Sequence, residues 1–345
     1  MAYADQAVND IIFKRKRNSR KIEELYLQGK HISIEDLKKT DCLRREQIFQ
    51  YLSKDIPEIP TKYFIPAYPT PVEFHITEVA HVTNKTRLPR IWESKGFKGL
   101  DEKSFSWWSL KINEENIREA EERYLEKEFP DRTSEQRASQ QNFLHLFTTS
   151  PSFLNDRSRF GNFRFTFPVT ELMDTYRKQI CNGEDPILRV FETIIYKQEI
   201  VYVVLVHSPE MNQKFQDFPE LKSSSFITYD EGKIIWKAQA ICETHTFELV
   251  KDHETKMATT EMAYSEEFYV WDHVSLAFHI DTVLDFPKRR LKESITCCEI
   301  DEDIKLSNGE ICSLEEAEKI CEALEEDDKE EKYEPGDENE MKHMF

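Results

Sequence analysis

The sequence predicts an α+β protein, with a small helical module at the N-terminus followed by a mixed helix and sheet domain. Three observations carry that reading. Apolar residues recur at helical spacing through the first fifty positions, five prolines break the chain between 55 and 71, and beyond residue 72 helices come early and strands late. The 345 residues fit one large domain or two ordinary ones, so a sizeable core can be buried. Hydrophobic residues make up 39% and charged residues 33%, and no apolar run approaches the ~18 residues of a membrane helix. The first ten residues lack the basic start and apolar middle of a signal peptide. Seven cysteines, an odd number scattered from Cys42 to Cys321, fit reduced thiols better than a disulfide framework. The expected location is therefore cytoplasmic or nuclear, with no membrane partner.

Within residues 1–54, Val8, Ile11 and Ile12, then Ile22, Leu25 and Tyr26, flank the run Lys14-Arg15-Lys16-Arg17 at a spacing that predicts helix. Gly29 closes one helix, Ser33 caps the next with Asp36 three residues on, and 43–52 reads as a third. This order looks like a helix-turn-helix unit, a pattern that short helical bundles share. The segment carries 12 basic and 8 acidic side chains, the one basic excess in a chain of net charge -19. Its run Lys14, Arg15, Lys16 and Arg17 is a candidate contact for nucleic acid or an import receptor, or else the solvated face of a helix.

Prolines at 57, 60, 66, 69 and 71 forbid helix and favour extended backbone, which makes 55–71 a linker or strap. An α+β domain is predicted over 72–300. It begins with a strand at 72–77, a helix through Trp92 and a turn at Gly96. Ile117, Ala120, Tyr124 and Leu125 mark a charged amphipathic helix, and 143–147 belongs to another. Phe163, Phe165 and Phe167 alternate with polar residues, as in a half-buried strand. Further strands are predicted at 187–196, 199–207, 234–236, 244–250, 268–271 and 274–280, all rich in β-branched and aromatic residues. The apolar run 200–206 predicts a central strand covered on both faces. Residues 301–345 hold 18 acidic and 5 basic side chains. Ser313 and Glu316 predict a capping box on a helix over 313–326, and the acidic composition beyond Asp327 predicts disorder.

Several chemistries are removed by what the sequence lacks. No two of its eight glycines stand in G-x-G spacing, so neither a dinucleotide fingerprint nor a P-loop is present. Its ten histidines include no HExxH, and its cysteines no C-x-x-C, so no metal site is predicted. A serine hydrolase elbow is missing as well. Two stretches do offer chemistry. Arg157, Arg159 and Arg164 interleave with Phe160, Phe163 and Phe165, a mixture suited to single-stranded nucleic acid through phosphate contacts and stacking. The plainer reading of that pattern is a strand with its phenylalanines in the core and its arginines in water. Glu243 and His245 share a strand face near Glu248, fit for a general acid and base or for simple solvation.

A longer constellation involves Val72-Glu73-Phe74-His75-Ile76-Thr77, which precedes a helix and Gly96. It resembles the opening H-x-T element of the ADP-ribosyltransferase superfamily. Phe105-Ser106-Trp107-Trp108, with Ala120 and Tyr124 beyond, is similar to the second element, and the stretch from Glu266 to Val274 to the third. The resemblance implies an enzyme that uses NAD as a substrate. Such an enzyme breaks the nicotinamide–ribose bond through an oxocarbenium-like state and moves ADP-ribose onto protein or nucleic acid. By resemblance, His75 holds the adenosine ribose with Thr77 in support, and Ser106 with Trp107 or Tyr124 lines the nicotinamide side. Glu267 binds the reacting ribose and stabilises the cation, with Glu266 as its competitor on the opposite strand face. Ile76 departs from the Gly or Tyr usual at that place. The alternative function is a non-enzymatic binding or regulatory protein on the same scaffold, with a protein or nucleic-acid partner and a place in innate immunity.

Overall fold

Extended backbone, not helix, opens the described part of the chain. The computed structural model describes residues 14–17, 23–31, 72–99, 104–196, 199–239, 241, 247–262, 271–300 and 310–324. In chain order these form β1 (Lys14–Arg17), β2 (Glu23–Gln28), β3 (Val72–Ile76), β4 (Glu78–Thr83), α1 (Leu88–Glu93), β5 (Gly96–Phe97), β6 (Phe105–Lys111), α2 (Glu114–Glu128) and α3 (Ser134–Ser139). Two short 3-10 turns lead to β7 (Arg157–Ser158), β8 (Phe163–Pro168), α4 (Val169–Gln179), β9 (Ile187–Tyr196), β10 (Glu199–His207) and α5 (Asn212–Phe215). The rest is β11 (Ile227–Asp230), β12 (Lys233–Ala238), β13 (Phe247–Asp252), β14 (Met257–Met262), β15 (Trp271–His279), β16 (Leu284–Asp285), α6 (Lys288–Ser294), β17 (Ile295–Cys297), β18 (Glu299–Ile300) and α7 (Leu314–Glu322). The mixture is α+β, as the sequence predicts.

The helical reading of the N-terminal segment needs correction where it can be compared. Lys14–Arg17 and Glu23–Gln28 pair with each other, and β2 pairs in turn with β9, Leu25 opposite Ile195. Leu27 is buried. Pairing onto an existing sheet outweighs a local spacing that a short strand can also satisfy. These residues therefore belong to the main sheet, and Lys14, Arg15, Lys16 and Arg17 form an edge strand instead of a helical face. The helices expected near Ser33 and over 43–52, the proline segment and the tail beyond 324 lie outside the described residues.

A nine-stranded sheet runs β1-β2-β9-β10-β15-β6-β4-β8-β17, antiparallel throughout except between β10 and β15. One face sends Ile200, Tyr202, Val204 and Val206 of β10, with Phe163, Phe165 and Phe167 of β8, into the main core. The other packs Val203 and Leu205 against Phe105, Phe191 and Phe215. β10 is thus covered on both faces, as its apolar run predicts. A second sheet, β11-β12-β3, seats Trp236 opposite Phe74. β3 lies at its edge, where α2 covers it. Asn116 Nδ2 donates to the His75 carbonyl at 3.1 Å, and Arg123 donates to the Glu73 carbonyl at 3.0 Å. Edge carbonyls that would otherwise lack partners are satisfied in this way.

β6 is shared between two neighbours. Phe105–Ser109 pair with β15, whereas Ser109–Lys111 pair with β4. Beyond Ser109 and Ser275 the two central strands therefore part, since Trp271–Val274 stay with β10 and Leu110–Lys111 stay with β4. At the C-terminal end, Ser313 Oγ accepts from the Glu316 amide at 3.2 Å, but the Glu316 side chain pairs with Lys85 and does not complete the expected box. No helix among the described residues is long and apolar enough to cross a membrane.

Candidate functional site

The residues singled out by resemblance are dispersed. His75 is half-buried on β3 and bonds the Glu73 carboxylate at 2.7 Å. It sits opposite Ile235, on the sheet face away from the Trp236 and Phe74 pair. Thr77 is exposed just after β3, and its carbonyl accepts from the Val169 amide at 2.8 Å. Ser106 is fully buried and its hydroxyl accepts from Trp108 Nε1 at 3.1 Å, so it offers nothing to a ligand. Trp107, its neighbour on the strand, packs on the opposite face. Tyr124 lies on α2 against Phe143, its rings 6.0 Å apart, and burial raises its pKa. Glu266, Glu267, Glu243 and His245 lie outside the described residues, and Glu248 is exposed on β13. The expectation that Ser106 and Trp107 share one nicotinamide wall is corrected by strand alternation.

What the fold does gather is a cavity of about 70 Å³ where β6 and β15 part. Ser109 and Lys111 line it from β6, His273 and Val274 from β15, Ala80 and Val82 from β4, and Trp236 from the second sheet. The segment 151–160 supplies its outer wall with Ser152, Arg157, Arg159 and Phe160, and Arg164 enters from β8. Gly161 lets this wall close on β4. Its φ is +147°, and a Cβ there would stand 2.1 Å from the Thr83 carbonyl oxygen.

The lining is cationic in a chain that is otherwise acidic. Arg159 forms two bonds to Glu199, at 2.6 and 2.9 Å, and His273 Nε2 meets the same carboxylate. Burial opposes ionisation of Glu199, yet Arg159 and His273 together outweigh it and hold the carboxyl far below the usual carboxylate range. Arg159 also stacks over Trp271 at 5.3 Å. Arg164 is different. Its guanidinium is buried and bonded to the backbone carbonyls of Leu154, Asn155 and Arg157, the last at 2.6 Å, and it has no carboxylate partner among the described residues. Arg157 is exposed and likewise unpaired with any described carboxylate. Lys111 reaches Glu78 only at 4.0 Å. Two buried donors in the same lining, Trp236 Nε1 and Ser152 Oγ, have no hydrogen-bond partner among the described residues. Each such orphan costs about 1–3 kcal/mol unless something accepts from it.

Parts of this site are readable in the sequence. Arg157, Arg159 and Arg164 stand out there with their phenylalanines, but Phe163 and Phe165 are fully buried and cannot stack a base, and only Phe160 is exposed, at 44%. The plainer reading holds for those two phenylalanines and fails for Arg164, which faces carbonyls instead of water. The link from Glu199 to His273 is absent from the sequence, because it depends on the parallel register that sets Val201 opposite His273. Among the described residues no three His, Cys, Asp or Glu side chains are grouped to hold a metal. Compared with known proteins, the chain matches no family, no curated protein and no solved structure.

Proposed function

We propose that the protein works by binding, as a regulatory protein whose partner is single-stranded nucleic acid held at the cleft between β6 and β15. The observation that supports this reading most is Arg164, a buried guanidinium bonded among the described residues only to carbonyls, beside Arg157 and Lys111 in the same lining. Backbone phosphates would supply the missing counter-charge, and Phe160 a surface for a base. Titrating labelled single-stranded RNA and DNA by fluorescence anisotropy tests it. Three phosphate contacts give a slope of about -2 for log affinity against log salt. Reversing Lys111 and Arg157 together to Glu should weaken binding at least about tenfold. No binding, or binding lost only when Lys14, Arg15, Lys16 and Arg17 are reversed, contradicts the proposal.

A second reading keeps the NAD-dependent ADP-ribosyltransferase. What favours it is that His75 on β3 and Thr77 just after it are both reachable from solvent. Release of nicotinamide from NAD, lost in Glu267→Gln and His75→Ala, would support it. Absence of NAD turnover in the unmodified protein would remove it.

A further inference from the structure

The chemistry of the cavity's lining is selective. Among the described residues, Trp236 Nε1 and Ser152 Oγ are buried donors without partners and Arg164 is a buried cation without a carboxylate. Three donors of this kind in one lining suit an acceptor that carries several oxygens and more than one negative charge. A phosphodiester inside a strand offers one charge and two free oxygens, and its chain must continue on both sides. A terminal phosphomonoester offers nearly two charges at neutral pH and three oxygens, and only one side continues. Arg157 at the rim and exposed Phe160 beside it are placed for the rest of that terminal nucleotide, the cation on the next phosphate and the ring under the base.

Resting on the binding function proposed above, we infer that the cleft captures the phosphorylated end of a single-stranded nucleic acid, the terminal phosphate seated against Arg164, Trp236 and Ser152. The indole and hydroxyl donate to its oxygens and the guanidinium balances its charge. No bond is made or broken.

The test uses the full chain and strands of about 12 nucleotides, each labelled away from the end examined. One carries a 5′-phosphate, one a 3′-phosphate and one hydroxyls at both ends. At least one phosphorylated strand should bind about tenfold more tightly than the hydroxyl strand, and the arm that does so identifies the end. Trp236→Phe, which removes only the N–H, and Ser152→Ala should each erase most of that preference, so that phosphorylated and hydroxyl strands bind the same variant nearly alike. Inorganic phosphate should compete with the phosphorylated strand in the unmodified protein, a readout that needs no variant to fold. Equal affinity for all three strands overturns terminal capture and leaves strand binding standing. Failure of every strand to bind overturns both. Stronger competition by a phosphoserine peptide than by the hydroxyl and phosphorylated strands alike overturns the nucleic-acid assignment.

Discussion

His81 lies between Phe97 and Trp108, and its Nδ1 meets the Trp107 carbonyl at 2.8 Å. Burial lowers its pKa to about 4, and His31, against the Tyr202 ring, is lowered to about 4 for the same reason. Both folded values lie below the ordinary 6.5, so the stability these residues contribute is complete above pH 6.5 and is lost as pH falls toward 4. Each accounts for about 2 kcal/mol between pH 6.5 and 5. Urea unfolding at those two values should show the loss, and His81→Asn should flatten it; an unchanged slope would assign the loss to other groups. Glu199 follows the same sign at lower pH, because its depressed carboxyl contributes stability above its ordinary value of 4.5 that is withdrawn in acid. Arg159→Met strands that carboxylate beside His273 alone and should lower unfolding free energy by about 3–5 kcal/mol. None of these roles is visible in the sequence. His81 is one of ten histidines there, and only the packing of Phe97 and Trp108 decides that it stays neutral.

At the scale of elements, strands with strong composition are read well and those held by partners are not. β9 and β10 match their expected limits because β-branched and aromatic runs state both the period and the burial. The N-terminal strands differ, since Leu25 and Tyr26 fit a helical spacing and β2 exists through its pairing with β9. Removing residues 1–31 should therefore uncover β9, forfeit the bond from Thr193 Oγ1 to the Lys30 carbonyl at 2.7 Å, and lower the melting temperature by at least about 4 °C. A separate module would leave the melt of the remainder unchanged. Gly161 offers a second test. Alanine there must push against the Thr83 carbonyl in a backbone region that L residues avoid, and should cost about 2 kcal/mol or more by denaturant unfolding. The same variant should weaken strand binding, because the wall carrying Arg157 and Phe160 can no longer close; full affinity would detach the wall from the site.

Charge and topology meet at the scale of the whole molecule. The net charge of -19 repels nucleic acid at long range, and 18 of the acidic groups lie in residues 301–345, so capture must come from a local cationic recess. That recess lies where the ladder between β6 and β15 ends at Ser109, a property of strand order and register that no local pattern encodes. The arginines of the wall were legible because they cluster in sequence; their union with Trp236 and Lys111 spans three strands distant along the chain. The most direct test of the central claim observes the indole N–H resonances of the five tryptophans during titration with the single strands, the Trp236 signal being assigned by its loss in Trp236→Phe. Binding at the cleft predicts that the Trp236 signal moves to saturation with a phosphorylated strand. A Trp236 signal that stays in place while the strand binds would contradict it.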